Sequence, residues 1–202
     1  MDWKGHKTGS NYAIQGNILL NAGILDSIEA RFLRTEGSLS DKLMAALQGA
    51  NVPGADSRCL NEGVSSLSAF IRMAKSNDHP DTLFLDLNVP QTPYGVEPID
   101  SLQQLYDNWK MITALLDHSD TKNNSWHIYP NPSKGVSTID LSEMKVKIVQ
   151  ISIYNQKGLL LIDLKNPLQK QQIELEATGK GMFYVVLTSE QYARFIKKLI
   201  IN

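Results

Sequence analysis

The chain has 202 residues, of which 42% are hydrophobic, so it can bury two small cores and its length allows one or two domains. Its formal net charge of −1 gives no reason to expect a nucleic acid or an anionic membrane as a partner. The only cysteine, Cys59, excludes an intramolecular disulfide.

The small net charge hides an uneven distribution. Residues 1–125 hold 10 basic and 15 acidic residues, a net charge of −5, whereas residues 126–202 hold 10 and 6, a net charge of +4. The sign changes at a polar stretch, residues 118–125, which is typical of a linker. We therefore predict a domain over residues 1–117, a linker over 118–125 and a second domain over 126–202.

The first segment begins with a strand-like pattern and two amphipathic helices. Residues 12–20 are strand-like but interrupted at Gly16, and Asn21 is placed to cap the helix that follows. Ser38 and Asp41 have the spacing of a capping box for the second helix. The apolar faces predicted from helical spacing are Ile24, Leu25, Ile28, Phe32 and Leu33 in the first helix, and Leu39, Leu43, Ala46 and Leu47 in the second.

Two strands and a long helix are predicted after a loop over residues 52–63 that is rich in Gly, Pro and Asp. Residues 65–75 and 82–89 alternate as strands do, and Pro98 suits the first turn of a helix. The alternation places Leu67, Ala69 and Ile71 on one face and Phe70 on the other, and Leu83, Leu85 and Leu87 opposite Phe84 and Asp86. The apolar stripe of the helix is Ile99, Leu102, Leu105, Tyr106, Trp109, Ile112 and Leu116. This order of elements indicates a layered α+β fold.

Three motifs of this segment occur in the order and spacing of a known family: residues 9–19 (GSNYAIQGNIL), 42–48 (KLMAALQ) and 53–58 (PGADSR). They resemble the second half of an uncharacterised family related to N-terminal-nucleophile (Ntn) hydrolases, over residues 3–110. The resemblance implies a partial Ntn-hydrolase-like α/β/β/α layered domain, its C-terminal half. The loop of that family continues Arg-Gly-Gln-Gln-Ser, whereas here Arg58 is followed by Cys59.

Four residues in these motifs are candidates for binding a ligand. Gln15 and Asn17 lie on the strand where the cleft of the resembled family opens, and Asp56 and Arg58 lie in a loop, where binding residues are common. A purely structural role is the alternative for each pair. The amides would satisfy backbone groups, and the charged pair would close the loop.

The resemblance implies a Thr, Ser or Cys nucleophile whose own α-amino group acts as the base. The strand that carries it has no counterpart here, and Thr8 and Ser10 are not terminal residues. We therefore predict no catalytic residue and no activity from this chain alone. An upstream half of the same precursor is the expected partner. The four histidines lack zinc spacing and no cofactor motif is present, so we predict neither metal nor cofactor.

The second segment has strand periodicity throughout. Val149, Ile151 and Ile153 alternate with polar residues, and Ile148 is out of phase with them, which predicts a bulge near residues 148–149. Residues 155–158 have hairpin chemistry, and Ile173, Leu175 and Ala177 alternate with Glu174 and Glu176. Short strands separated by turns predict a small immunoglobulin-like β-sandwich.

This segment opens with Tyr129, Pro130, Asn131 and Pro132, and Gly135 permits a turn after them. With residues 153–158 (IYNQKG), residues 181–187 (GMFYVVL) and the pair Lys197 and Lys198, these residues resemble, over 126–202, the type A C-terminal sorting domain of type IX secretion cargo. The resemblance implies the type IX secretion machinery as a partner. It also implies a secreted or cell-surface location reached through the periplasm. A carbohydrate-binding or adhesive immunoglobulin-like module is the alternative.

A sorting tail acts only on a protein that has crossed the inner membrane. No signal-peptide-like apolar stretch follows Met1, and no run approaches the roughly 18 apolar residues of a membrane helix. We therefore expect this sequence to be the C-terminal part of a longer precursor. Three functions remain open: a secreted Ntn-hydrolase-like protein represented without its nucleophile, a non-catalytic secreted binding or surface protein with the same tail, and a two-domain scaffold whose first segment binds a partner.

Overall fold

The computed structural model describes residues 2–78, 83–117, 125–175 and 179–202. Three predictions lie outside them: most of the linker over 118–125, the start of the strand expected at Thr82, and the alternation of Glu176 with Ala177. The chain forms two compact units, Met1–Tyr106 and Asp107–Asn202. No helix of the described ranges is long and apolar enough to cross a bilayer.

Among the described residues, the first unit contains two antiparallel pairs of strands and four helical segments. Its elements are β1 (Trp3–Thr8), β2 (Ala13–Leu19), α1 (Gly23–Arg34), α2 (Leu39–Gly49), a short 3-10 helix (Ser57–Glu62), β3 (Ala69–Met73), β4 (Leu85–Val89) and the beginning of α3 (Pro98–Asp117). Strand β1 pairs with β2, and β3 with β4. The predicted α+β composition is thereby confirmed, and β2 continues through Gly16 rather than breaking there.

The helix starts follow from local hydrogen bonds. The Ser38 hydroxyl accepts a bond from the Asp41 N–H at 3.2 Å, and the Asp41 carboxylate accepts one from the Ser38 N–H at 3.1 Å. The predicted capping box therefore forms. The Asn21 side chain accepts from the Gly23 N–H at 2.8 Å, but the N-cap position of α1 is Ala22, which makes no side-chain cap, so the prediction that Asn21 caps this helix is wrong. Helix α3 begins at Pro98 as predicted.

The core of the first unit includes one face of the β3–β4 pair, whereas no residue of β1 or β2 is fully buried. The buried residues of β3 and β4 are Ala69, Ile71, Leu85, Leu87 and Val89. Phe70, on the opposite face of β3, is 62% exposed. Leu33 and Leu39, which helical spacing assigns to the apolar faces of α1 and α2, are exposed, so that part of the prediction is wrong; Leu67 is exposed as well. Leu67 precedes β3, and the other two lie in terminal turns of their helices, where fewer neighbours are available to cover them.

In the part of the second unit that the structure describes, seven strands form two sheets. They are β5 (His127–Tyr129), β6 (Val136–Asp140), β7 (Ile148–Asn155), β8 (Leu160–Lys165), β9 (Lys170–Glu174), β10 (Gly181–Ser189) and β11 (Arg194–Ile201). The strand orders are β11-β10-β7-β8 and β5-β6-β9. Residues of both sheets share one hydrophobic core, in which Trp126, Ile139, Ile153, Val185 and Leu199 are fully buried.

Two local predictions for this unit are confirmed. Gln150 pairs with Thr188 and Ile148 with Ser189, so Val149 is the extra residue of a β-bulge. The hairpin after β7 is closed by the Asn155 carbonyl, which accepts from the Gly158 N–H at 3.1 Å. Gly158 has φ of 72°, a left-handed conformation that glycine adopts without strain.

The second half of α3 packs against one face of the four-stranded sheet. Ile112, Val186 and Ile196 form a buried cluster there, flanked by Met111 and Leu115. In the same unit, the Asn108 side chain donates a hydrogen bond to the Gly158 carbonyl at 3.0 Å. Helix α3 thus contributes residues to the second unit, although the sequence pattern groups this helix with the first segment.

Candidate functional site

The opening and closing motifs of the second unit lie side by side. The Asn131 side chain donates a hydrogen bond to the Lys198 carbonyl at 2.8 Å and accepts one from the Ile200 N–H at 2.9 Å. One amide thus supplies both the donor and the acceptor that a neighbouring strand would present to β11. These two bonds join Asn131 to residues that lie 67 and 69 positions later in the sequence.

The main chain at Ser133 continues this pairing. Its N–H donates to the Ile200 carbonyl at 2.9 Å, and its carbonyl accepts from the Asn202 N–H at 2.9 Å. Ser133 and Ile201 form a parallel bridge. Because β11 is the outer strand of its sheet, these bonds cover part of an edge that would otherwise be open.

The two lysines of the closing motif have different environments. Lys197 is half-buried: its ammonium donates to the Trp126 carbonyl and lies 5.1 Å from the centre of the Trp126 ring. Burial lowers the pKa of Lys197. Lys198 is exposed, and its ammonium makes no ion pair or hydrogen bond with the described residues.

The other residues of the opening motif shape a small groove. The Pro130 carbonyl accepts from the Ser137 hydroxyl at 3.0 Å, and the Tyr129 hydroxyl donates to Asp140 at 3.2 Å. Both X–Pro bonds are cis, and Gly135 has φ of 116°. The groove has a volume of about 500 Å³ and is lined by Pro130, Pro132, Ser133, Lys134, Val136 and Asn202.

In the first unit, Gln15 and Asn17 lie on the exposed face of β2. A shallow polar depression of about 750 Å³ is lined there by Lys4, Gly5, His6, Gln15, Gly16 and Asn17. His6 is the cross-strand partner of Gln15. The two predicted amides therefore share one solvent-facing surface with an imidazole and an ammonium group.

Ile18, next to Asn17, has φ of 57°, which is an outlier for a β-branched residue. It lies where the pairing with β1 shifts from Leu19 opposite Trp3 to Gly16 opposite Gly5. This extra residue on β2 makes a bulge, and bulges redirect neighbouring side chains. Strain of this kind is concentrated at functional sites, so it favours this face as a binding surface.

Asp56 and Arg58 bind each other. The guanidinium donates to Asp56 Oδ1 at 2.9 Å and to Oδ2 at 2.6 Å, and the Arg58 N–H donates to Oδ1 at 3.0 Å. These bonds lower the pKa of Asp56 and raise that of Arg58. Because both carboxylate oxygens are occupied, the geometry favours the structural alternative, a loop-closing ion pair. Asp56 also forms a bridge with Leu19 at the end of β2.

Two sequence profiles match the chain. The first, described as a family of unknown function (DUF1028), matches residues 1–102, which is half of the chain. The chain belongs to this family. The second, described as a secretion system C-terminal sorting domain, matches residues 127–202. The DUF1028 protein is therefore secreted and sorted to the cell surface by a type IX tail, and the predicted location is confirmed. No curated protein matches the chain.

The structure of this DUF1028 protein also shows residues that sequence reasoning missed or misjudged. His6 and Lys4 were not predicted as site residues, although the alternation of β1 places both on the face of Gln15. Cys59, which could have been acidified by Arg58, has its pKa raised by burial. Among the described residues, no three metal-ligating side chains converge.

Proposed function

We propose that this DUF1028 protein is the C-terminal part of a secreted, Ntn-hydrolase-like precursor. Residues 126–202 form an immunoglobulin-like β-sandwich that the type IX machinery binds as a folded signal. The contact of Asn131 with the main chain of Lys198 and Ile200 carries this proposal. This contact brings the opening and closing motifs of the sorting sequence together on one surface, which an unfolded tail could not present.

A groove in the first unit supports the proposed precursor, because a further strand could bind there. It has a volume of about 410 Å³ and is lined by consecutive residues 12–15 and 70–72. Because successive side chains of a strand point to opposite faces, a run of consecutive lining residues indicates that the edges of the strands form the walls of the groove. Its apolar floor comes from α1 and α2: Ile28, Phe32, Leu43, Ala46 and Leu47. Among the described strands, β2 pairs only with β1, apart from the bridge at Leu19, and β3 only with β4.

The sorting function is tested with a reporter. A signal peptide, a fluorescent protein and residues 98–202 would be joined, so that the whole of α3 is retained. In a type IX-competent host we expect the reporter at the cell surface or in the medium. The same fusion in a host without the machinery is the control and should stay in the periplasm. Periplasmic retention in both hosts would contradict the proposal.

The hydrolase relationship makes a separate prediction. Because no nucleophile with a free α-amino group is expected, the chain alone should not turn over chromogenic amides or esters. Turnover that is lost in Ser10→Ala or Cys59→Ala would show that the nucleophile is within these residues. A Thr, Ser or Cys directly after a signal-peptide cleavage site in the upstream coding sequence would support the enzyme.

A non-catalytic secreted binding or surface protein is the second candidate. The polar face that Gln15 and Asn17 share with Lys4 and His6 favours it, because this face is exposed and carries donors and acceptors without a nucleophile. Ligand screening by thermal shift, with Gln15→Ala and Asn17→Ala as variants, tests this function. A ligand that stabilises the wild type and both variants equally would place its site elsewhere.

A further inference from the structure

Strand β11 of the sorting tail holds two adjacent lysines, Lys197 and Lys198, and their side chains have different environments. The Lys197 side chain lies against Trp126 and has a partner there. The Lys198 side chain is exposed, while its carbonyl is held by Asn131. Because Lys197 has a partner within the domain, its role is structural. Because the charge of Lys198 is exposed, Lys198 is available to another molecule.

We propose that Lys198 is the residue of the tail that the secretion machinery reads, through a carboxylate on the machinery, and that Asn131 is the positioning residue that presents it. This proposal rests on the sorting role of the tail. It adds the chemistry of recognition: an acidic protein surface that binds a lysine held on the outer strand of a folded domain.

Charge supports an acidic partner. Residues 126–202 carry a net charge of +4, opposite in sign to the first segment. Two cations of the tail are already paired: Lys147 with Glu190 at 2.8 Å and Lys170 with Asp140 at 3.1 Å. In the described part of the chain Lys198 has no such partner, so its full charge faces solvent. Complementary charge gives an interface specificity and speeds encounter.

Asn131 is suited to positioning because it binds β11 on both sides of Leu199. It fixes the Lys198 carbonyl and the Ile200 N–H, while Leu199 is fully buried between them. The backbone at Lys198 is thus held by a side-chain clamp on one side and by its pairing with Tyr184 of β10 on the other. Removing the clamp would free this end of the strand without removing the lysine.

The first test uses the reporter fusion described above. Lys198→Gln removes the charge, Lys198→Arg retains it, and Lys165→Gln, at an exposed lysine of β8, is the matched control. We expect Lys198→Gln to lower the exported fraction about tenfold, because losing one charge-assisted hydrogen bond changes a binding constant by about that factor. Its melting temperature should be unchanged. Lys198→Arg and Lys165→Gln should be exported as the wild type is.

Export of Lys198→Gln at the wild-type level would overturn the proposal, and so would an equal defect in Lys198→Arg or Lys165→Gln. If the wild-type fusion itself is not exported, the sorting role fails instead. These two failures are distinguishable because the wild-type fusion is measured in every experiment.

The second test is a double-mutant cycle between Asn131→Ala and Lys198→Gln. If Asn131 acts by presenting Lys198, the double variant should export no less than Lys198→Gln alone, because there is no charge left to position. Defects that multiply would show that Asn131 supports only stability. Ser137→Ala removes a different hydrogen bond of the same loop and is the control for loop destabilisation. A defect in Ser137→Ala as large as that in Asn131→Ala would also overturn the positioning role.

Discussion

The Lys197 ammonium donates a hydrogen bond to the Trp126 carbonyl and lies 5.1 Å from the centre of the Trp126 ring. The bond joins the beginning of the C-terminal strands to the last of them. It is made by a cation whose pKa is lowered by burial, so part of its favourable energy is offset by lost hydration. The aliphatic stem of a half-buried lysine also contributes to such a contact through its apolar surface.

Lys197→Ala should lower the free energy of unfolding of the second unit by about 1 kcal/mol, since it removes both the hydrogen bond and the stem. Lys197→Met retains the stem and removes the desolvated charge, so its loss should be smaller. Chemical denaturation followed by far-UV circular dichroism measures both. Lys198→Ala, at the neighbouring exposed lysine, is the control and should have little effect. An equal loss in the two alanine variants would contradict the structural role of Lys197.

Ile112→Ala should destabilise the second unit, because Ile112 is 2% exposed and packs with Val186 and Ile196. Truncating a buried isoleucine costs about 2–5 kcal/mol through lost contacts and the cavity left behind. Hydrogen exchange of β10 and β11 should become faster. Leu33→Ala, at a residue of α1 that is 57% exposed, is the control and should leave exchange unchanged. Unchanged exchange in Ile112→Ala would mean that α3 is dispensable for these strands.

Asp140→Asn should destabilise the second unit in a pH-dependent way. Hydrogen bonds from the hydroxyl and N–H of Ser142, with Lys170 nearby, lower the pKa of Asp140. A carboxyl group whose folded-state pKa is lowered stabilises the fold above its usual pKa, and this contribution is lost as the pH falls. The variant should be less stable than the wild type at pH 7, and the difference should shrink below about pH 4. Glu190→Gln, in an exposed ion pair, is the control.

Sequence reasoning succeeded where a signal is local. The capping box of α2 needs only Ser38 and Asp41 three positions apart, and the bulge at Val149 is visible because Ile148 breaks the period of two. The start of α3 at Pro98 follows from the fixed geometry of proline. In each case residues within one turn or one strand determine the outcome.

The rest depends on contacts between distant residues. Nothing in the sequence around Asn131 shows that its amide binds β11, because the partner is 67 positions away. The difference between Lys197 and Lys198 is equally hidden, since it depends on which face of β11 meets Trp126. The exposure of Leu33 and Leu39 was missed because helical spacing identifies a face but not where the neighbouring elements end.

Glu97→Ala should destabilise the first unit more than most single substitutions outside the apolar core. Its carboxylate accepts from the Ser65 hydroxyl at 2.6 Å, the Ser65 N–H at 2.7 Å and the Ile99 N–H at 3.0 Å. Ser65 is 1% exposed, so losing the acceptor leaves buried donors without partners, at a cost of about 2 kcal/mol. The carboxylate also lies at the start of α3, where negative charge is favourable.

Glu97→Gln separates the two effects. The glutamine retains one acceptor oxygen but not the second, and it removes the charge at the helix terminus. The stability of Glu97→Gln should therefore lie between that of the wild type and that of Glu97→Ala. Glu36→Ala, at an exposed glutamate, is the control and should change little. Thermal and denaturant unfolding of the four proteins measures the order. Because the acceptor role requires buried donors, equal stability of Glu97→Ala and Glu36→Ala would show that Ser65 and Ile99 find other acceptors when Glu97 is removed.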